Sequence, residues 1–349
     1  MVKRHAFKIG LIGSFTLSAF AHYSGLLSPI VQFAISCVAI VFVAGFLGKA
    51  TESVAHYAGE RLGGFLNATF GNAAELIIAI FLVKDGLFDI VKASITGSII
   101  GNLLLVLGLS VLLGGLRFKE QHFNVKLASH NGSLMLLAVI TLFIPAAFVG
   151  SLTDGETFNL SLFVAVILIV AYLLWLLFSM VTHKKELSDP IVEHGEPAWS
   201  KRLSIVFLIL ATSMVAVQSE WLVSTLEVFS HQFGLSELFV GAFLIAIVGN
   251  AAEHSAAILL ARRNKMGAAI EIAVGSSLQI ALFVAPVLVI ISLFFGHPMN
   301  IVFTTFELVA IGVAVIIAKS ISQDGTTHWY EGVLLLVVYG ILGIAFYMV

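Results

Sequence analysis

The chain has 349 residues, of which 59% are hydrophobic and only 11% are charged, and its formal net charge is −2. Soluble domains usually carry about a quarter of their residues as charged side chains. This composition therefore excludes an ordinary soluble protein and predicts a polytopic membrane protein. The single cysteine, Cys37, excludes a disulfide within the chain.

Eleven hydrophobic stretches are long enough to cross a membrane, since a spanning helix needs about 20 mostly apolar residues. In chain order they are residues 7–27, 29–48, 62–83, 90–114, 128–149, 158–181, 203–226, 236–260, 267–295, 299–318 and 329–348. Most connections between them are short, which is typical of a compact helical bundle. The first stretch, with its preceding lysines and arginine, also fits a signal peptide. A retained span is favoured, because another span follows directly after Pro29.

The lysines and arginines predict the orientation, because cytoplasmic segments are enriched in them. With the N-terminus in the cytoplasm, the eleven spans place every one of the 18 basic residues inside except Lys84 and Lys92. The C-terminus is then outside. The compact chain suits a bacterial inner membrane.

One pentapeptide, Gly-Asn-Ala-Ala-Glu, occurs at residues 71–75 and again at residues 249–253, each time within a predicted span. The same offset of 178 residues pairs Gly97-Ser98 with Gly275-Ser276, so the duplication extends beyond the motif. An acidic residue at the centre of a bilayer costs roughly 2.5 to 3.5 kcal/mol on insertion scales. Two matching copies therefore indicate a functional site.

The two copies are predicted to cross the membrane in opposite directions, because Glu75 falls on the third span and Glu253 on the eighth. We therefore expect an all-α integral membrane protein of two inverted five-helix repeats. Its predicted parts are an accessory transmembrane helix, a first repeat, a cytoplasmic linker and a second repeat, at residues 1–28, 29–181, 182–202 and 203–349. Inverted repeats with interrupted helices are typical of secondary transporters.

In each motif, Asn and Glu are three residues apart and share one face of a helix. Small neighbours let another helix approach, and Gly-Asn is compatible with a helix break that frees backbone carbonyls. Two such oxygen sets could supply much of the six to eight ligands that calcium prefers. Later spans add Ser98 and Asn102 in one half, and Ser276 and Gln279 in the other. Each alone fits simple packing, but the recurrence of the two serines favours a site.

The segments Gly71–Ile77 and Gly249–His254, with Arg263–Met266 and Gly275–Ile280, resemble the two α-repeats of the cation/proton exchanger family of calcium/proton antiporters. The motif resemblance runs over about residues 45–286. It implies that Glu75 and Glu253 are the central calcium ligands. It also implies supporting oxygen ligands, some of them acting through water: Asn72, Asn250, Ser98, Ser276 and Gln279.

Other ionisable residues allow two interpretations each. Glu52 and Glu220 match the family's membrane-boundary acids, which implies that they line the entrances, but both also fit exposed carboxylates at helix ends. Glu307 is predicted well inside the tenth span, either on a proton pathway or as a neutral carboxyl in a packed interface. His254 could shuttle protons, act as a gate or simply pack. Four acids of the linker are expected to be ordinary solvated side chains rather than calcium sensors: Glu186, Asp189, Glu193 and Glu196.

The two halves also differ. At the repeat offset, Asn102 aligns with Ile280 and Gln279 aligns with Gly101. The segment from Glu220 to the second motif is ten residues longer than the segment from Glu52 to the first. The two entrances are therefore expected to be non-equivalent.

The resulting hypothesis is a secondary active transporter that exchanges cytosolic Ca2+ for external H+ by alternating access. A carboxyl group away from water favours its protonated form without a cation and its ionised form beside a divalent cation, so one site can hold either cargo. No enzymatic reaction and no cofactor are expected, and Ca2+ is the substrate.

The nearest alternative is a sodium/calcium exchanger, whose motifs usually carry hydroxyl residues where this chain has Asn-Ala-Ala. A cation channel is less favoured, because inverted symmetry indicates alternating access. An intramembrane enzyme lacks a recognisable nucleophile or metal triad. Expected partners are Ca2+, H+ and the lipid bilayer, without nucleic acid, and a homo-oligomer is compatible with the sequence.

Overall fold

A computed structural model describes residues 2–183 and 197–349, so the four linker acids lie outside the described residues. Within these ranges the chain forms eleven continuous helices and two short strands, β1 (Glu120–His122) and β2 (Thr326–His328). The helices are α1 Val2–Ser24, α2 Pro29–Phe70, α3 Ala73–Lys84, α4 Phe88–Phe118, α5 Val125–Phe148, α6 Asp154–Thr182, α7 Lys201–Phe233, α8 Glu237–Ala261, α9 Met266–Phe295, α10 Thr305–Ile321 and α11 Trp329–Met348. The all-α class predicted from composition is confirmed.

Eight of the described helices are long and apolar enough to cross a membrane, namely α2, α4 to α9 and α11. Helix α1 is less apolar, and α3 and α10 have only 12 and 17 residues. The tenth predicted span, 299–318, is wrong at its start, because residues 301–304 are not helical and α10 begins at Thr305. There the backbone nitrogen of Ile301 bonds the hydroxyl of Ser161 at 3.1 Å instead of a helical carbonyl.

The third predicted span, 62–83, is divided by a turn at Gly71-Asn72, with α2 before it and α3 after it. Helix α2 is not straight. A side chain at Gly63 would overlap the carbonyl oxygen of Ala55, although a straight helix separates residues eight apart by about 12 Å along its axis. The backbone bends back between them, so α2 holds the second predicted span and the start of the third.

The two strands pair antiparallel, with Glu120 opposite His328 and His122 opposite Thr326. Strand β1 follows α4 and β2 precedes α11, so the pair marks one side of the bundle, called the strand side below. In the eleven-span prediction both connections fall on the same face of the membrane. The strand pair agrees with that prediction.

Helices α4 and α9 are the most enclosed of the spanning candidates, with 72% and 56% of their apolar windows buried. Each contains a π-helical turn, at Gly101–Val106 and at Ile280–Val284, close to equivalent positions of the repeat. A side chain at Gly97 would overlap the backbone of Ala242. Helices α4 and α8 therefore cross in backbone contact, and residues 97–104 of α4 are all buried.

Candidate functional site

The two pentapeptide motifs meet inside the bundle. A Cβ atom at Gly249 would lie 3.3 Å from Cγ of Glu75, so the second motif packs directly against the acid of the first. Glu75 is buried, with 5% of its surface exposed, and Glu253 is partly exposed. Two carboxyl groups from inverted segments thus share one region of the interior.

Glu75 binds partners from both halves. Its Oε1 accepts a hydrogen bond from the hydroxyl of Ser98 and one from Nδ2 of Asn250, the latter at 2.6 Å. The same amide nitrogen lies 2.9 Å from the carbonyl oxygen of Ala246, which holds the amide in this orientation. The other oxygen, Oε2, is buried and accepts no hydrogen bond from any described residue. Leaving a buried polar atom unpaired costs free energy, so this oxygen is a candidate ligand for a cation.

Glu253 also bonds a serine of its own half, but the asparagine of the opposite motif contacts that serine and not the acid. The hydroxyl of Ser276 lies 2.8 Å from Oε2 of Glu253 and 2.7 Å from Oδ1 of Asn72. The amide nitrogen of Asn72 in turn donates to Oε1 of Gln279 at 2.7 Å. Each motif's asparagine therefore bonds to side chains of the opposite repeat.

The structure brings together all seven residues that the sequence predicts as calcium ligands. Hydrogen bonds join them into two groups. One group contains Glu75, Ser98 and Asn250, and the other contains Glu253, Ser276, Asn72 and Gln279. Within the described residues there is no cluster of three or more His, Cys, Asp or Glu side chains. The site thus offers two carboxyl groups and neutral oxygens, which are the ligand types preferred by hard cations. Their roles as ligands stay predictions.

The expected helix break is present in only one copy. Asn72 ends the turn between α2 and α3 with φ −91° and ψ 18°. Gly249 and Asn250 instead lie within unbroken α-helix from Ala246 to Ala261, so the expectation is wrong for the second motif. There the irregularity lies earlier, in a π-helical turn at Val240–Ile245. The amide of Asn250 bonds the carbonyl four residues earlier, which is compatible with continuous helix.

His254 contacts a residue that the sequence did not connect to it. Its Nε2–H donates to Oδ1 of Asn102 at 3.1 Å, and both side chains are buried. This bond joins α8 to the π-helical turn of α4. Asn102 therefore pairs with His254 rather than with Glu75. The alignment of Asn102 with apolar Ile280 was the signal that the two halves differ here.

Glu307 is buried but lies at the start of a helix, not well inside one. Its Oε2 accepts hydrogen bonds from the backbone nitrogen of Thr304 at 2.7 Å and from the Thr304 hydroxyl at 2.8 Å. With the reverse bond from the Glu307 nitrogen, this is a capping box. Glu307 thus stabilises the first turn of α10, and its role in a proton pathway stays a prediction.

The two boundary acids lie outside the network. Glu220 is 57% exposed and lies 3.9 Å from Nζ of Lys84, which is 48% exposed at the end of α3. An exposed ion pair of this kind contributes little stability. Glu52 is exposed on α2, next to Ser53, whose hydroxyl lies 2.8 Å from that of Ser204. Their part in the entrances stays a prediction.

Known proteins resemble this chain over nearly its whole length. The family described as sodium/calcium exchanger protein matches residues 28–181 and 203–348. A Ca2+/H+ antiporter, ChaA of Bacillus subtilis (strain 168), is 50% identical over 323 residues, which cover 91% of this chain and 92% of that protein. The chain belongs to the calcium/proton antiporters of this exchanger family.

Other calcium/proton antiporters agree with this assignment. A Ca2+/H+ antiporter of Aphanothece halophytica is 45% identical over 366 residues, covering 99% of this chain and 98% of the relative. The solved structure of native YfkE superposes with a TM-score of 0.87 at 44% identity, covering 98% of this chain and 100% of that one. The family expected from the repeated motif is confirmed.

Proposed function

We propose that this protein is a secondary transporter that exchanges calcium ions for protons across a membrane. The names of its relatives support the cargo, and the internal site supports the mechanism. The proposal assigns no enzymatic reaction and no cofactor to the chain, and treats Ca2+ as substrate.

The observation that carries the proposal is the pair of carboxyl groups at the crossing of two inverted motifs, with Oε2 of Glu75 buried and unpartnered among the described residues. A buried carboxylate is unfavourable unless a proton or a cation compensates its charge. Two carboxylates with one Ca2+ are electrically neutral, and so are two protonated carboxyls. The same site can therefore bind either cargo, but it is poorly suited to stand empty and charged.

Partial exposure of Glu253 supports a site that is open towards the strand side. Glu253 lies eight residues, about 12 Å of helix axis, before Ala261, whose carbonyl oxygen accepts a hydrogen bond from Gln121 of β1. The proposal takes the burial of Glu75 to mean that the opposite route is closed in this state. Alternation between this state and its mirror image would carry each cargo across.

The proposal places the strand side and the N-terminus in the cytoplasm, and the C-terminus outside, in the inner membrane of a bacterium. Lysines and arginines support this orientation, because the predicted strand-side connections hold nearly all of them. Cytosolic calcium would then enter past Glu253 and leave past Glu75. The site would return in its protonated form.

Calcium uptake into proteoliposomes tests the function. Vesicles containing the purified chain are given a pH gradient, a sodium gradient, or both, and internal calcium is followed with a fluorescent indicator. We expect saturable uptake with the pH gradient alone. Uptake that requires sodium would establish the sodium-coupled alternative, and non-saturating flux without either gradient would indicate a channel. Vesicles containing the double variant Glu75→Gln and Glu253→Gln are the control.

A further inference from the structure

The contact between His254 and Asn102 links two helices at the centre of the molecule. The bond from Nε2 of His254 to Oδ1 of Asn102 measures 3.1 Å, and the two residues are 8% and 1% exposed. Asn102 lies in the π-helical turn of α4, and its Nδ2 is buried without a partner among the described residues. The pair is thus joined by one described hydrogen bond between buried side chains.

The equivalent positions in the other half carry no polar group. At the repeat offset of 178 residues, His254 corresponds to Leu76 and Asn102 corresponds to Ile280. Breaking a buried hydrogen bond leaves two polar atoms unpaired. The side chains of Leu76 and Ile280 carry no polar atom, so no hydrogen bond is lost when they move apart. The two halves therefore respond differently to the same movement.

We propose that the hydrogen bond between His254 and Asn102 makes the two faces of the transporter unequal, by favouring the state that is open to the strand side. This inference rests on the proposed alternating access. In the mirror state, α8 would take the geometry that α3 has now, with a break before its acid. That break would move His254 relative to Asn102 on α4, whose π-helical turn already has a counterpart of the same kind in α9. The bond would be lost, whereas the leucine–isoleucine pair in the other half imposes no matching preference.

The consequence is a shift of apparent affinity with opposite signs on the two faces. The apparent dissociation constant of a ligand rises as the fraction of molecules in the competent state falls. Removing the bond reduces the fraction open to the strand side and increases the fraction open to the opposite side. The KM for calcium should therefore rise on the strand side and fall on the other. Damage to the fold or to the calcium site would not produce two opposite shifts.

Transport assays in oriented vesicles test the proposal. Everted and right-side-out membrane vesicles present the two faces separately, and KM for calcium is measured on each for the unmodified chain and for Asn102→Leu. We expect the KM to rise on the strand side and to fall on the other, with the ratio of the two values changing about two- to tenfold in total, given the net contribution of one buried hydrogen bond. Ser110→Ala, which removes a buried hydroxyl from the same helix, should leave the ratio of the two KM values unchanged.

A reciprocal variant keeps the proposal testable if Asn102→Leu does not fold. The double substitution Leu76→His with Ile280→Asn introduces the same pair into the other half and should shift the KM ratio in the same direction as Asn102→Leu. The inference would be overturned if the KM values rise or fall together on both faces. It would also be overturned if the ratio of the two KM values is unchanged in both variants. Absence of calcium/proton exchange by the unmodified chain would instead overturn the proposed function, so the two failures are distinguishable.

Discussion

The same five residues adopt two conformations in this molecule. In the first motif, Asn72 ends a turn and Glu75 lies in the first turn of a new helix, in a buried position. In the second motif, the chain is continuous helix and Glu253 is partly exposed. Identical sequence with different structure means that tertiary contacts decide the conformation. A transporter of two inverted repeats needs this difference, because a fully symmetric molecule would be equally open or closed to both faces.

The largest expected effect comes from removing either acid. Glu75→Gln and Glu253→Gln should each lower calcium transport about 100-fold or more, because loss of one charge in a buried ionic site costs several kcal/mol. Because the two motifs supply one acid each to the same site, the loss of calcium transport should be equal in the two variants. Proteoliposome uptake provides the measurement, and size-exclusion profiles check folding.

Glu120→Gln, which changes an exposed acid in β1, is the matched control and should transport normally. Normal transport by both of the site variants would show that these carboxyl groups do not bind the cargo.

The next largest effect on calcium transport is expected from alanine substitutions of Ser98 and Ser276. The size of the effect should differ between the two halves. Ser98 contacts Glu75 and Asn250, whereas Ser276 bridges Asn72 and Glu253. A hydrogen bond to a charged group contributes about 1.5 to 3 kcal/mol, so each alanine variant should raise the KM for calcium about tenfold or more. Ser276→Ala should have the larger effect, because it removes the one hydrogen bond described for Glu253, whereas Glu75 keeps its bond from Asn250 in Ser98→Ala.

Ser277→Ala is the control for the serine variants, since among the described residues its hydroxyl donates only to the carbonyl oxygen of Ala273, at 2.9 Å. A change in KM as large as that of Ser276→Ala would indicate a general sensitivity of α9. The special role of the bridging serine would then be wrong.

A smaller loss of calcium transport is expected from a substitution at Gly249, where the two motifs are in contact. Gly249→Ala places a methyl group 3.3 Å from Cγ of Glu75, which is closer than ordinary van der Waals contact. Because α8 must shift to relieve this contact, transport should fall about threefold to tenfold, in line with the roughly 1 kcal/mol typical of mild overpacking. Uptake kinetics at saturating calcium measure the loss.

Gly275→Ala serves as the control, because none of the described atoms lies within 4 Å of a Cβ built at Gly275. Equal losses in the two glycine variants would mean that helix flexibility, rather than contact between the motifs, limits transport.

The smallest effect is expected at the boundary acids. Glu220→Gln removes the partner of Lys84, and Glu52→Gln removes an exposed acid at the other boundary. Exposed pairs contribute about 0 to 1 kcal/mol, so KM should change no more than about fivefold in either variant. Measurements at low and high ionic strength should show a larger salt dependence for the unmodified chain than for Glu220→Gln. An effect as large as that of Glu253→Gln would place the boundary acids in the binding site itself.

Much of the site could be predicted because the repeat constrains it. The offset of 178 residues pairs Glu75 with Glu253 and Ser98 with Ser276 without a structure. Hydrophobicity predicted most helices to within a few residues. It failed at 62–83 and 299–318, since apolar composition does not reveal a turn or an extended segment whose backbone groups find partners elsewhere. Glu307 was misplaced for the same reason, although Thr304 three residues earlier is a capping signal.

The sequence by itself determined the membrane class, the duplication and the identity of the polar residues, because these depend on composition and on spacing along the chain. Only the tertiary structure decided which motif is broken, which acid is buried and which partner each asparagine and His254 takes. Those features depend on contacts between residues more than 100 positions apart, such as Asn250 with Glu75 and His254 with Asn102. The five residues of the motif are identical in the two copies, so the motif alone does not predict which copy is broken.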